Sequence, residues 1–539
     1  MTNAAAPDSG ADTGPNQASG SKTKWLALAA MMFAVSMMFI DQTIVSIAVP
    51  TIQKELGLTD GGVQWVVNGY LLALSAFIAL GGRLSDILGH KKMVLLGTVI
   101  FAMSSALCGA TPTGPLAEAW LIFFRVTQGI GAALLFPAAL AIVVAVFPIK
   151  ERGKALALFF GITGGLTAIG PILGGYLSEW TWRAIFWVNV PVAIIAVALA
   201  VLAHVETRHM KAKLDYIGAV LIASGMGLSV FGLQQAGSWG WESAKTWACI
   251  IVGLIILAVF VKVETMIEEP LIKVRIFADR AFFVDNAVLF FAMMAFVPVF
   301  FFGSVYAQVS LGFNATNAGL YLLVFFAGFA PAVQVGGRIL DKSGARMPVI
   351  IGCAIGAVGF YLWGTKVTDL TGGLGGQWLY IVVGGAGIGL LLGPASTDAV
   401  NRAINASYGE VTGINQTIRN YGSSLGLAIL GSILVHVNTS KIVTTLTGAG
   451  VPEAAATSAA ASLGQGDASA SSSIPPGTSQ SVIDAIARGI KLDYAEATQV
   501  VLWGMSIALV VAFVIALFHP GGRVTHETIE AGGPPPSGG

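Results

Sequence analysis

Asp41, Arg125, Asp398, Arg402 and Arg419 are ionisable side chains that interrupt long apolar stretches of this sequence. A charge among apolar residues is costly unless it is paired, hydrogen-bonded or set against a water-filled path, so each is a functional candidate. Asp41 stands between MMFAVSMMFI and QTIVSIAVP. A carboxylate so placed can take up and release a proton, or it can bridge two helices by hydrogen bonds. Asp398 lies in GPASTDAVNR, and Arg402 four residues on shares its helical face. That pair reads either as a local ion pair or as a second protonation or cation-recognition site. Arg419, with Asn415 and Gln416 close by, makes a polar stripe suited to a cavity wall.

Other chemistries have no support. The sequence contains no G-x-x-x-x-G-K-[ST] phosphate loop, no H-E-x-x-H and no C-x-x-C. ATP-driven work and metal chemistry therefore lack their usual signatures. No nucleophile–base set is visible, so neither an enzyme nor a cofactor or metal is expected. Lys and Arg number 29 against 28 Asp and Glu, for a net charge of +1. That balance lacks the basic field nucleic acid needs.

The elements that must position these charges are membrane helices. Of 539 residues, 55% are hydrophobic and 11% charged, against about a quarter charged in soluble domains. A span needs about 20 apolar residues, and about fourteen such runs occur. They begin near Trp25, Trp65, Met93, Trp120, Ala155, Trp182, Leu214, Trp247, Phe282, Ala318, Met347, Leu379, Thr412 and Gln499. The expected fold is an all-α membrane protein of about fourteen transmembrane helices. The expected divisions are a polar tail over 1–24, a first bundle over 25–204, linking helices over 205–280, a second bundle over 281–520 and a tail over 521–539. A long Ala/Ser/Gly-rich loop is expected over 440–495, with Ser481–Ala497 on the membrane surface. Basic residues such as Lys91, Lys92, Lys150, Arg152, Lys273, Lys342 and Arg346 concentrate in alternate loops. By the positive-inside rule those loops and both termini are expected in the cytoplasm.

One loop pattern occurs twice. GGRLSDILGHKKM supplies Gly82, Asp86, Gly89 and Lys91; GGRILDKSGARMP supplies Gly337, Asp341, Gly344 and Arg346. The offset is 337 − 82 = 255 residues. Gly129-Ile130-Gly131 with Pro137 recurs as Gly387-Ile388-Gly389 with Pro394. Two motifs at nearly one offset indicate a duplicated bundle with parallel halves and a site between them. The paired loops read as latches that stabilise one orientation of the halves.

The loop pattern resembles the signature of the major facilitator superfamily. DQTIVSIAVP (41–50), RVTQGIGAA (125–133), GPILGG (170–175), WRAIFWVNVP (182–191) and GINQTIRNYGSSLG (413–426) are similar to motifs of its fourteen-helix drug/proton antiporters. The resemblance implies two pseudo-symmetric six-helix bundles with two additional helices between them. It also implies a monomeric, multi-pass exporter in the plasma (inner) membrane, driven by a proton gradient. Asp41, Asp398 and Arg125 would then carry proton coupling, and Gly170, Pro171, Gly174 and Gly175 would form a gating bend. Asn68, Tyr70, Gln128, Asn286, Tyr306, Gln308, Asn415 and Arg419 would line a cavity for amphipathic drugs. Export of a lipid or cell-envelope precursor is the alternative, and a non-transporting receptor is less favoured.

Overall fold

The computed structural model describes residues 21–147, scattered positions over 151–168, and then 169–203, 215–267, 270–402, 408–463 and 480–522. The expected tails, apart from 21–24 and 521–522, and the basic residues Lys150, Arg152, Arg208, Lys211 and Lys213 lie outside the described residues. The helices are α1 Ser21–Leu56, α2 Asp60–Leu88, α3 His90–Gly109, α4 Ala117–Val146, α5 Ile169–Trp180, α6 Ala184–Trp187 and α7 Asn189–Leu202. They continue with α8 Tyr216–Trp239, α9 Ala244–Glu264, α10 Arg280–Val309, α11 Ala315–Ser343 and α12 Arg346–Gly364. Last come α13 Gly373–Arg402, α14 Tyr408–Gly448, α15 Glu453–Leu463 and α16 Gln480–Leu517. Among the described residues 13 helical segments are long and apolar enough to cross a membrane. The expected span from Ala155 is described mainly in its later half, α5.

Polar caps set where these helices begin. Thr59 accepts the Gly62 N–H at 2.9 Å, Asp279 that of Phe282 at 2.8 Å, and Asn314 that of Asn317 at 2.9 Å. Each side chain satisfies a backbone donor that the first helical turn leaves free. The repeated loops end α2 and α11 in the same way. Gly89 (φ 96°) and Gly344 (φ 81°) cap the two helices, in backbone conformations that favour glycine.

The repeat also governs packing, in a register two residues from the sequence match. A Cβ on Gly129 would lie 2.5 Å from Tyr70 O of α2, and one on Gly131 would lie 2.7 Å from Phe101 N of α3. The residues in the same roles are Gly385, 2.1 Å from Phe325 O of α11, and Gly387, 2.1 Å from Gly356 N of α12. The structural offset is thus 385 − 129 = 256, close to the 255 of the loop motifs. The run GGAGIG offers glycines at several two-residue spacings, so pattern alone could not choose among them.

α1–α5 and α7 form one half, and α10–α14 with α16 the other. α8 lies along the seam between α2 and α14. Asn68 Nδ2 donates to Gln234 Oε1 of α8 at 2.8 Å, Ser424 Oγ of α14 donates to Asn68 Oδ1, and Ser75 Oγ donates to Thr417 O at 2.9 Å. α9 packs on α8 and leaves Ile251, Leu254 and Ile255 exposed, as a lipid-facing helix should.

The long loop expected over 440–495 is largely helical where described. α14 continues to Gly448, α15 follows, and α16 begins at Gln480. Ile442, Leu446, Val451, Ala456, Ala459, Ala460 and Ile486 form a small buried cluster between them. Alanine is the best helix former, and its small side chain allows close approach. The stretch expected on the membrane surface is the first part of α16.

Gly387→Val is expected to lower stability by about 1–3 kcal/mol through overpacking, read as an earlier thermal melt in detergent. Gly413→Ala, whose Cβ would meet nothing within 4 Å, should melt with the wild type. Equal melting of Gly387→Val and wild type would refute this packing register.

Candidate functional site

Among the described residues, two buried clusters each join an intramembrane acid to an arginine, and Arg419 stands outside both. In the first half, α1 supplies Asp41 and α4 supplies Arg125 and Gln128. Arg125 donates from Nη1 to Asp41 Oδ2 at 2.6 Å and to Gln128 Oε1 at 2.7 Å, and from Nε to Val66 O of α2 at 2.7 Å. Gln128 Nε2 donates to Asp41 Oδ1 at 3.0 Å. The guanidinium also lies 4.6 Å from the Tyr70 ring centroid and 5.8 Å from that of Phe186. Both carboxylate oxygens are engaged, and the pair is fully buried. The helix fold explains the meeting: Arg125 and Gln128 are three residues apart and so share a face.

In the second half, α10 supplies Asp285, α13 supplies Asp398 and Arg402, and the segment after α16 supplies His519. Arg402 Nε donates to Asp398 Oδ2 at 2.5 Å, while its Nη2 donates to Gly521 O at 2.8 Å and Gly522 O at 3.2 Å. The Gly521 N–H donates to His519 Nδ1 at 3.0 Å. Nδ1 is therefore the acceptor, and the ring proton sits on Nε2. Nε2–H points at Asp398 Oδ2 at 3.2 Å and lies 3.4 Å from Asp285 Oδ1. Ligand atoms of Asp285, Asp398 and His519 fall within 4.8 Å of one another, a spacing a metal ion could use. The Gly521 contact argues against that use, because it keeps the proton on the nitrogen a metal would need. Sequence reasoning finds Asp398 and Arg402 but misses Asp285 and His519. Asp285 carries a usable signal, an acid within the apolar run RAFFVDNAVLFF; His519 carries none.

The remaining candidates divide by position. Gln128 belongs to the Asp41 cluster, and Tyr70 donates its hydroxyl to Met38 O at 3.3 Å beside it. Asn68 is used up in the α2–α8–α14 seam rather than facing a free cavity. Tyr306 donates to Val367 O at 2.7 Å and accepts from Gln377 at 2.8 Å, inside the second half. Asn286 Nδ2 donates to Phe282 O of its own helix, leaving Oδ1 without a partner. Gln308 reaches across the halves to Ile47 O at 2.9 Å. Arg419 Nε and Asn415 Nδ2 have no hydrogen-bond partner among the described residues.

The gating candidates sit where the halves meet or turn. A Cβ on Gly174 would lie 2.8 Å from Ile44 O of α1, and one on Gly175 would lie 2.7 Å from Thr316 Cα of α11. Gly319 of α11 approaches Pro171 O in return, and Gly170 faces Thr43. α5 is thus clasped between α1 and α11, on the side away from the repeated loops. Gly82, Asp86, Gly337 and Asp341 lie in the last two turns of α2 and α11, and Lys91 and Arg346 begin the helices that follow. Arg346 also donates to Leu517 O at 3.5 Å, tying α12 to α16.

A sequence profile of the Major Facilitator Superfamily matches residues 31–427. The tetracenomycin C resistance and export protein of Streptomyces glaucescens is 31% identical over 413 residues, 76% of each chain. The cephamycin export protein of Amycolatopsis lactamdurans is 34% identical over 431 residues, covering 76% of this chain and 85% of its own. Multidrug resistance protein 3 of Bacillus subtilis is 28% identical over 511 residues, 93% of this chain and 96% of its own. The fold resembles a bacterial homologue of the human lysosomal transporter Spinster in an inward-facing, unoccupied conformation. That structure has a TM-score of 0.61 and 18% identity, over 93% of this chain and 98% of the other.

Removing one member of the Asp41–Arg125 pair leaves a bare buried charge, at a cost of about 3–5 kcal/mol. Arg125→Met is expected to lower the detergent melting temperature sharply. The double variant with Asp41→Asn should recover part of the loss. A double variant less stable than Arg125→Met alone would rule out the pairing as the source of the effect.

Proposed function

This chain belongs to the Major Facilitator Superfamily, and from that premise we propose that it is a proton-driven exporter of amphipathic small molecules working by alternating access. The observation that carries the reading is the Asp41–Arg125–Gln128 cluster, a carboxylate enclosed with its counter-charge in the interior of the first half. Deprotonated Asp41 neutralises Arg125. A proton on Asp41 cancels that neutralisation and leaves a guanidinium held only by Gln128 Oε1 and Val66 O in a medium of low dielectric. The protonated state therefore favours a rearrangement that gives Arg125 water or a new partner. Protonation in this way biases one orientation of the halves against the other. The export direction and drug-like cargo rest on the relatives, whose names describe export and resistance.

The two glycine-packed halves suit rigid-body rocking, and the contacts between them suit gates. One gate is the α1–α5–α11 clasp. We assign the side of the repeated loops to the cytoplasm, from their lysines and arginines. On that assignment the clasp is the outer gate, closed in this conformation, and the protein resides in the plasma membrane with both termini inside. It needs no cofactor beyond the proton gradient, and the chain is taken to work as a monomer.

The test uses proteoliposomes with an imposed pH gradient, two dyes of opposite charge (ethidium and a dansylated carboxylate), and wild type beside Asp41→Asn. Gradient-driven accumulation of either dye by the wild type should disappear in the variant while equilibrium binding of that dye persists. Undiminished uptake by Asp41→Asn would remove the proton role of Asp41. Movement of a fluorescent phospholipid with neither dye moving would replace drug export by lipid export.

A further inference from the structure

Among the described residues, Arg419 differs from Arg125 and Arg402. Arg125 and Arg402 each hold a carboxylate at 2.5–2.6 Å. Arg419 has no ion pair, and its Nε is buried with no hydrogen-bond partner among the described residues. It nonetheless keeps accessible surface of its own, being half-buried rather than sealed. On the exporter reading, that partial exposure faces the hollow between the halves.

The stripe it occupies supports that placement. On α14, Thr417 and Ser424 meet α2, while Gly422 and Gly426 press on Phe290 and Met294 of α10. Thr412, Gln416, Arg419 and Ser423 fall on a separate stripe at helical spacing. One turn before Arg419, on nearly the same face, Asn415 is 3% exposed and its Nδ2 also lacks a partner. Residues four apart on a helix lie within about 6 Å, so one ligand group can reach both. The unpartnered groups Arg419 Nε and Asn415 Nδ2 are both donors. A buried guanidinium N–H without a partner is retained against its cost when something binds it.

We propose that Arg419 and Asn415 form an anion-recognition subsite, so that the cargo includes amphiphiles carrying a carboxylate, sulfonate or phosphate on an apolar body. The inference rests on the exporter reading for the meaning of the hollow, but not on proton coupling. A guanidinium presents paired N–H groups that match such oxyanions, and the neighbouring amide adds a third donor. The apolar part of the ligand would occupy the remainder of the hollow, as in most small-molecule sites.

The experiment is equilibrium binding to the purified full chain in detergent, without any gradient. The probes are dansyl-undecanoate, its uncharged methyl ester and ethidium; the proteins are wild type, Arg419→Gln, Arg419→Lys and Asn415→Ala, each first checked for an unshifted melt. Arg419→Gln is expected to weaken dansyl-undecanoate at least about tenfold, the size of one charge-assisted hydrogen bond, and to leave the ester and ethidium unchanged. Arg419→Lys should restore part of the loss, and Asn415→Ala should weaken the same probe less. Competition by lysophosphatidylglycerol would identify a lipid headgroup as a source of the anion, and competition by a short-chain aryl carboxylate a drug-like one; either supports the subsite. Equal loss of all three probes, or no loss of dansyl-undecanoate, would overturn it. A chain with the expected binding pattern but no gradient-driven transport would instead count against the proton-driven exporter.

Discussion

A guanidinium in hydrocarbon must be enclosed with something that answers its charge, and the first half of this protein is arranged around that demand. Arg125 has its hydrogen-bond partners on α1, α2 and α4: Asp41, Gln128 and the Val66 carbonyl. They can converge on it only if those helices come very close. Glycine makes this possible, because Gly129 brings the backbones of α2 and α4 together where a Cβ would collide with Tyr70 O. Tyr70 then closes the cluster with its ring. Electrostatics and packing are one constraint here, since loosening the helices would strand the charge.

The same logic separates the parts that move together from the parts that must come apart. Within each half, many of the closest helix contacts are backbone against glycine, which leaves little room for a change in spacing. Between the halves they are side-chain hydrogen bonds, such as Gln308 to Ile47 O and Ser75 to Thr417 O, together with the α5–α11 clasp. Net hydrogen-bond free energies of about 1 kcal/mol each hold an orientation without fixing it. α8 complicates this, because Gln234 joins a seam shared by both halves through Asn68 and Ser424. The linking helices are therefore part of the interface between the halves, in addition to connecting them in sequence.

The sequence is informative wherever physics acts on consecutive residues. Apolar runs, charge bias and turn glycines point to the helical membrane fold, and the paired loops to the duplication. Asp41, Arg125 and Asp398 are visible because a charge in an apolar run is rare. What fails to show depends on distant residues meeting. Asp285 carries the same signal as Asp41, but its partner does not: His519 lies 519 − 285 = 234 residues on, and only the docking of the final segment under α10 and α13 joins them. The two-residue slip between glycine motifs arises because periodic glycines match in several registers. Asn68 looks like a cavity residue because nothing in its neighbourhood in sequence announces Gln234 or Ser424. The alanine-rich stretch reads as loop because its composition cannot build a core alone, yet it packs against extensions of α14 and α16 that sequence alone does not place beside it.

The three charged places differ in how fully each is answered, and this orders their roles. At Asp41, one acid and one base cancel, and both carboxylate oxygens are engaged, so a proton is the smallest species able to disturb the balance. At Asp398, the acid is shared between Arg402 and the His519 N–H, while Asp285 keeps two oxygens without hydrogen bonds. That cluster joins two acids with Arg402 and His519, and it ties the chain beyond α16 to α10 and α13. Arg419 has no answering charge among the described residues. A transporter needs a place where cargo contributes what the protein lacks, and a site already satisfied by its own side chains gives a ligand nothing to gain. On the function proposed above, the first cluster suits proton binding, the second holds its helices together, and the wall of α14 bearing Arg419 is where a ligand has most to offer.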